Sequence, residues 1–253
     1  MRTRGTERVD VVMGRASPPV LELQEVRKHY GGLRPLRIND LEVREGERVA
    51  MSGFDAAAAE MLISLLTGAS LPDEGDIRVL GESTAAIADE EAWLASLDRI
   101  GVVSLRAVLL SGSTLAQNLA IPFTLEIDPV PTVVMAQVRA LAEEVGLPPD
   151  QLDVPAGAAP PQARVRVHLA RALASGPRVL LLEHPTAMLP PEATPAFGMD
   201  LARVAEARAF ALLAVTEDAR FAGIVAGRRL ALDPASGALT EPHRWPRWWS
   251  GWR

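Results

Sequence analysis

The chain has 253 residues, of which 48% are hydrophobic, so it is long enough to bury one substantial core. Its 26 basic and 32 acidic residues give a net charge of -6, which argues against a broad contact with the phosphate backbone of DNA or RNA. The absence of cysteine excludes disulfides, thiolate zinc sites and thiol nucleophiles, and no apolar run reaches the roughly 18 to 20 residues of a membrane span.

The first 80 residues are predicted to form a flexible leader followed by strands and one helix. Residues 1–18 contain arginines, glycine and a Pro-Pro pair without a sustained period, and they lack the apolar core of a secretion signal, so the cytoplasm is the expected location. LELQEV and RINDLEV alternate as antiparallel strands would, and GERVAMS continues into a buried strand. A helix up to Gly68, the LPDEG turn and the strand DIRVLG then predict a βαβ-type opening.

The rest of the chain alternates between helices and strands. Residues 87–98 and 132–146 are predicted helices with a loop-rich stretch between them, and ARVRVHLARALAS predicts a packed helix. RVLLLE is a short apolar run that ends in an acid, which is typical of a central parallel strand ending at a functional edge. A helix near 192–208 and the strand FALLAVTED complete the pattern of an open α/β sheet.

Six landmarks in this order resemble the nucleotide-binding subunits of ATP-binding cassette (ABC) transporters, from about Leu21 to Asp233. They are LELQEVRKHYGG, RVAMSG with LLTGASLPDEGDIRVLG, IGVV with TLAQNLAIPF, RVHLARAL, LLLEHPT and AVTED. The resemblance implies a P-loop NTPase-like, three-layer α/β fold over residues 19–235, with an antiparallel β subdomain and a helical subdomain at about 105–162. It also implies ATP and Mg²⁺ as cofactors, and a transmembrane permease subunit or a second ABC ATPase subunit as partners.

The Walker A position departs from the pattern GxxxxGK[ST], in which backbone N–H groups and a lysine hold phosphates and a hydroxyl holds Mg²⁺. Gly53 keeps the first position, but Ala58, Ala59 and Glu60 replace the second glycine, the lysine and the hydroxyl. One unit-charge contact at about 4 Å, with an effective dielectric of about 20, is worth ~4 kcal/mol, so tight binding of MgATP is not expected. The alanines favour a helix, with Asp55 as its N-cap.

The other motif positions depart from the family pattern as well. Leu105 stands at the position of the Q-loop glutamine, and Ala159–Ala163 stand at the signature. Glu183 replaces the Walker B aspartate, and His184 replaces the catalytic glutamate. Pro190 replaces the aspartate of the next loop, and Glu217 replaces the switch histidine. The signature prolines lack the N–H donors that would meet the γ-phosphate at a partner's site. The resemblance, with these departures, implies that ATP hydrolysis is lost or very weak and that both composite sites of a dimer are impaired.

Several of these side chains have two interpretations from the sequence. Tyr30 is either the aromatic residue that stacks on adenine or an ordinary packed tyrosine. Glu60, Glu183, His184 and Glu217 form either a cluster able to hold a divalent ion or a remnant cleft lined by solvated polar groups, and His184 is a candidate general base.

Two further features lie outside the motifs. His168 lies among arginines on a predicted helix and is interpreted as a surface residue. The tail at residues 236–253 includes HRWPRWWSGWR, which holds four of the five tryptophans. Tryptophan beside arginine is typical of a lipid headgroup boundary. The tail therefore either contacts the inner face of the membrane, binds a partner protein, folds back onto the domain, or is disordered.

Three functions remain open at this point. The first is a pseudo-ATPase subunit with a scaffolding or regulatory role in a membrane transport complex. The second is an active nucleotide-binding enzyme in which Tyr30, Glu183 and His184 replace the lost residues. The third is a soluble adaptor unrelated to transport. Titration with MgATP separates the first two, and co-purification with an integral membrane protein separates the first from the third.

Overall fold

A computed structural model describes residues 18–104 and 106–241, and two β-sheets organise this part of the chain. Most of the predicted leader, most of the tail and Leu105 lie outside the described residues. The strands are β1 (Pro19–Lys28), β2 (Leu36–Arg44), β3 (Arg48–Ser52), β4 (Glu74–Val79), β5 (Glu82–Ser83), β6 (Ile100–Ser104), β7 (Val179–Glu183), β8 (Ala211–Val215), β9 (Arg228–Leu232) and β10 (Leu239–Thr240). The helices are α1 (Ala56–Leu66), α2 (Glu90–Leu97), α3 (Leu115–Ala120), α4 (Thr132–Glu144), α5 (Pro161–Leu173), α6 (Thr194–Arg208) and α7 (Ala219–Val225).

The larger sheet has the order β10-β9-β3-β8-β7-β6, and its strands from β9 to β6 run parallel. Its interior strands β7 and β8 are apolar, except for Glu183 at the end of β7, because both of their faces are covered. In β7, Leu180 and Leu182 face the helices, whereas Val179 and Leu181 face the layer that contains α1. The predicted open α/β sheet is therefore present, and the strand predicted from RVLLLE is an interior strand, between β8 and the edge strand β6.

The smaller sheet is antiparallel and has the order β2-β1-β4-β5. The sequence predicted that β4 would close a βαβ unit, and this was wrong, because β4 pairs antiparallel with β1. The turn before β4 returns the chain to β1: the Asp73 carboxylate accepts hydrogen bonds from Lys28 Nζ at 2.9 Å and from the His29 N–H at 2.7 Å. These contacts lower the pKa of Asp73, with the His29 N–H as the largest cause.

Helix α1 fills the layer between the two sheets, and the remaining large helices cover the opposite face of the parallel sheet. The residues of α1 that face this layer are apolar: Ala58, Ala59, Leu62, Ile63, Leu65 and Leu66. No helix in the described ranges is both long and apolar enough to cross a bilayer.

Two helices, α3 and α7, and four strands, β5, β6, β9 and β10, were not predicted from the sequence. Helix α3 interrupts the stretch interpreted as loop, and the Thr114 and Gln117 side chains close its first turn as a capping box. Helix α7 follows β8 and is capped by Asp218. Strand β10 pairs with β9, so the sheet continues beyond the predicted domain boundary at 235. The two helices and β10 are too short to give a clear hydrophobic period.

Candidate functional site

The candidate site lies where four adjacent parallel strands end. The strands β3, β8, β7 and β6 are neighbours, and their last residues lie side by side in the register Met51–Val215, Val215–Glu183 and Glu183–Ser104. Ligands in open α/β sheets bind at the carboxyl ends of the strands. The predicted site residues that follow these strands therefore lie along one edge of the sheet.

Gly53 begins the loop that the resemblance assigns to phosphate binding. Its φ of +88° is in the left-handed region, and a Cβ here would lie 2.6 Å from the carbonyl oxygen of Leu232, so the position requires glycine. The Gly53 N–H donates to Glu217 Oε1 at 2.7 Å, and the Phe54 N–H donates to the same oxygen at 3.3 Å. A carboxylate of the chain thus occupies donors that would otherwise face an anionic ligand.

The next part of the loop has become helix. Helix α1 begins at Ala56, and Asp55 Oδ1 accepts from the Ala58 N–H at 2.8 Å, which confirms the predicted N-cap. The Ala59 N–H donates to the carbonyl oxygen of Asp55 at 2.9 Å. Ala59 is fully buried in the apolar layer between the sheets. The N–H donors of Ala58 and Ala59 are therefore bonded within the chain, and the lysine position carries no charge.

Replacing Asp55 with alanine is expected to lower the free energy of unfolding by about 1 kcal/mol, because the Ala58 N–H loses its acceptor. Urea unfolding of the Asp55→Ala variant measures this change. Asp89→Ala, which removes the equivalent N-cap from the exposed helix α2, is the matched control. A change below about 0.3 kcal/mol at Asp55 would show that the cap does not hold the start of α1.

An arginine links two of the predicted acids. Arg106 Nη2 donates to Glu183 Oε2 at 2.7 Å, and Nη1 forms an ion pair with Glu60 Oε1. The Glu183 side chain is 8% exposed, whereas Arg106 and Glu60 are about half exposed. Of the four residues grouped from the sequence, Glu60 and Glu183 meet at Arg106, and Glu217 contacts the loop after β3. Among the described residues, no group of three or more acids or histidines is arranged to hold a metal ion.

His184, at the position of the catalytic glutamate, follows β7 in a left-handed conformation with φ of +41°. Its N–H donates to the Val215 carbonyl oxygen at 2.9 Å, and its carbonyl oxygen accepts from the Ala187 N–H at 3.0 Å. Asparagine, aspartate and histidine adopt this conformation more readily than most side chains. The backbone of His184 therefore shapes the turn after the strand.

The signature position begins α5. Pro161 is the first residue of the helix and Pro160 precedes it, so neither supplies an N–H. The N–H groups of Ala163 and Arg164 donate to the Pro160 carbonyl oxygen at 3.0 and 3.1 Å. Most donors at this helix start are thus missing or are already bonded within the helix.

Tyr30 lies at the rim of a cleft of about 410 Å³ beside Gly53, which Arg34, Arg37 and Asp55 also line. The tyrosine is half-buried, and its ring covers Gly32, where a Cβ would meet Tyr30 Cζ at 2.8 Å. Burial, and then the nearby charge of Asp55, raises the pKa of the Tyr30 hydroxyl. The side chain is thus partly packed and partly available to the cleft.

The interpretation of His168 as a surface residue was wrong. Helix α5 packs on both sides, so the imidazole is only 8% exposed, at the wall of a second cleft of about 290 Å³. Burial lowers the pKa of His168 to about 4, with smaller contributions from the charges of Arg171 and Arg164. The imidazole is therefore neutral in the folded chain near neutral pH.

Arg106 is the site residue that reasoning from the sequence missed. It follows the Q-loop position directly, and it carries the only positive charge in the stretch SLRAVLLSGSTLAQNLAIPF. A lone cation next to a motif, in a chain with acids at three motif positions, is the signal that would have identified it. Its partner Glu183 is 77 residues away in the sequence, so pairing between them could not be read from local spacing.

Comparison with protein families and curated proteins gives a consistent result. The ABC transporter family model matches residues 36–187. The methionine import ATP-binding protein MetN of Brucella abortus (strain 2308) is 33% identical over 218 residues, which cover 86% of this chain and 58% of that protein. MetN of Caulobacter vibrioides is 37% identical over 178 residues, which cover 69% of this chain and 52% of that protein. The chain thus spans a little over half the length of these curated relatives.

Solved structures share the fold. CbiO1 from Clostridium perfringens, described as part of the ABC transporter complex cbiONQ, gives a TM-score of 0.73 at 19% identity and covers 88% of each chain. The dimeric ATP-binding cassette MJ0796 bound to ADP and Pi gives a TM-score of 0.71 at 20% identity, and the match covers 87% of this chain and 98% of that chain. These likenesses confirm the predicted P-loop NTPase-like fold. Together with the family match and the identity to the relatives, they show that the chain belongs to the ABC transporter family.

Proposed function

We propose that this chain is a cassette subunit of a membrane transport complex that has lost ATP hydrolysis and serves a scaffolding or regulatory role. The observation that carries the proposal is the internal pairing of the pocket: Glu217 accepts from Gly53 and Phe54, and Arg106 binds Glu60 and Glu183. Groups that would meet a nucleotide and its metal are bonded to one another. The fully buried Ala59 leaves no ammonium group at the lysine position.

The electrostatics of the pocket support the same conclusion. Three carboxylates, from Glu60, Glu183 and Glu217, lie along the edge of the sheet, and Arg106 already neutralises part of the charge of two of them. A triphosphate brings further negative charge, and at about 4 Å each unit-charge contact is worth ~4 kcal/mol with an effective dielectric of about 20. ATP with Mg²⁺ is therefore a poor ligand for this pocket, and the residues present do not fit the pair in the family's manner.

The proposed partners are a transmembrane permease subunit, a second ABC ATPase subunit, or both, at the inner face of the membrane. The MetN relatives are named for methionine import, so methionine is the first cargo to test in the complex. The chain departs from the family pattern in both the Walker A and the signature segments, and so it would impair both composite sites of a dimer. This favours a scaffolding or regulatory role over one half of an asymmetric ATPase.

Co-expression with a permease subunit tests this function. We expect the chain to co-purify with the permease in the absence of nucleotide. We also expect that His184→Ala, at the catalytic glutamate position, changes the ATPase rate of the complex by less than about twofold, because general acid–base catalysis otherwise contributes ~100-fold or more. A loss of ATPase rate of ~100-fold or more on His184→Ala would contradict the proposal. The positive control is the equivalent substitution of the catalytic residue in a competent partner subunit.

One observation favours a second function, that of an active nucleotide-binding subunit. The cleft of about 410 Å³ beside Gly53 combines Tyr30 with the guanidinium groups of Arg34 and Arg37. An aromatic ring and cations are suitable for a nucleotide base and its phosphates. Saturable binding of MgATP below about 1 mM, abolished by Tyr30→Ala, would support this alternative.

A further inference from the structure

Three separate elements converge on the guanidinium group of Arg106. Glu60 lies in the second turn of α1, Glu183 is the last residue of β7, and Arg106 follows the end of β6. The backbone N–H of Arg106 donates to Ser104 Oγ at 3.2 Å, and this hydrogen bond helps to fix the loop that carries the guanidinium group. One side chain thus joins the helix between the sheets to two adjacent strands of the parallel sheet.

The two acids occupy the positions that the family pattern gives to the metal-binding side of the pocket. Glu60 stands where a hydroxyl would hold Mg²⁺, and Glu183 stands at the Walker B aspartate. The buried Glu183 carboxylate needs a cation, since an unpaired buried charge is strongly unfavourable, and the half-exposed Glu60 adds a second negative charge at the same position. A guanidinium group suits this position because it is always protonated and directs N–H donors to more than one carboxylate oxygen.

We propose that Arg106 is a built-in replacement for the divalent cation, so that the chain holds this pocket together without Mg²⁺ or nucleotide. The charge of the side chain balances Glu183, the more buried of the two acids, and links it to Glu60 on α1. The inference concerns the isolated chain, and it holds whether or not the chain joins a transport complex. It also predicts that removal of Arg106 converts the pair of acids into a weak divalent-cation site.

Thermal unfolding with EDTA, MgCl₂ or MnCl₂ tests the proposal on the full chain. For the unsubstituted chain, we expect the same Tm within about 1 °C in EDTA and in roughly 10 mM Mg²⁺ or Mn²⁺. For Arg106→Ala, we expect a Tm lower by about 3 to 8 °C in EDTA, because the buried Glu183 carboxylate loses its partner. Either metal should then restore about 3 °C, as a weak oxygen-ligand site with a Kd of roughly 1 mM would.

Three matched variants assign the effect to the charge. Arg106→Lys keeps a cation and should show no response to metal. Glu60→Gln combined with Arg106→Ala removes one acid and should lose the metal response that Arg106→Ala gains. Arg164→Ala removes an arginine from the wall of the cleft of about 290 Å³, which Arg106 also lines, and should not acquire a metal response. If Arg106→Ala does not fold, Arg106→Gln, which keeps hydrogen-bond donors without the charge, replaces it.

Three results would overturn the proposal. One is an Arg106→Ala or Arg106→Gln variant with the stability of the unsubstituted chain. Another is a destabilised variant whose Tm is the same in EDTA, Mg²⁺ and Mn²⁺. A metal-dependent rise in Tm of the unsubstituted chain, equal to that of the variant, would also contradict it, because the position would then not be filled by Arg106. None of these outcomes depends on ATP hydrolysis or on a permease, so they are independent of the proposed transport role.

Discussion

The triple variant Ala59→Lys, Glu60→Ser, Glu217→His is expected to bind MgATP at least about a hundredfold more tightly than the unsubstituted chain. It restores the ammonium group and the hydroxyl, and it removes the carboxylate from the donors of Gly53 and Phe54. A single charge contact is worth ~4 kcal/mol at an effective dielectric of about 20, and solvent reduces that value in a half-exposed pocket. Isothermal titration of purified protein with MgATP measures the change in Kd.

The control for this variant carries methionine in place of the new lysine. Ala59 is fully buried, so any longer side chain must extend along the apolar layer toward the loop before α1. Ala59→Met with the same two other substitutions has a similar side-chain length but no charge. Equal affinities of the lysine and methionine variants for MgATP would show that the missing charge is not what prevents binding.

The second large effect is a pH dependence of stability that arises from His168. The folded-state pKa of about 4 lies below the ordinary value of 6.5, so the unfolded chain takes up a proton between these two values and the folded chain does not. The associated stability is therefore fully present above about pH 6.5 and is lost as the pH falls toward 4. We expect His168 to account for a loss of about 2 kcal/mol in the free energy of unfolding between about pH 7.5 and pH 5.

Urea unfolding of His168→Ala at both pH values measures this contribution. The variant should lose about 2 kcal/mol less than the unsubstituted chain over the same interval. Leu169→Ala, at the next and fully buried position of α5, should lower the stability by the same amount at both pH values. An unchanged pH dependence in His168→Ala would show that the imidazole is not buried in its neutral form.

Much of the fold could be predicted because the framing segments retain strong local patterns. The apolar run of β7, the helical period of α5 and the alternation of β1 and β2 all appear in the structure. The partner of β4 could not be predicted in the same way, because a short alternating strand fits either sheet and the choice depends on long-range contacts such as Asp73 with Lys28. Helix α7 has seven residues, which is too few for a reliable period.

The site was only partly predictable. Motif spacing placed Gly53, Glu183 and Glu217 at the ends of neighbouring strands, since the carboxyl ends of parallel strands lie on one edge. It did not show which acid would meet which donor. The Glu217 contact with Gly53 spans 164 positions, and Arg106 lies at no motif position at all. The burial of His168 depends on elements packed around α5, which its arginine-rich sequence conceals.

Titration of the unsubstituted, purified protein with MgATP tests most directly whether a pocket already paired within the chain excludes a triphosphate. We expect no saturable heat of binding up to about 1 mM nucleotide, with or without excess Mg²⁺. One-site binding of MgATP with a Kd well below about 1 mM would show that the internal pairing does not prevent nucleotide binding.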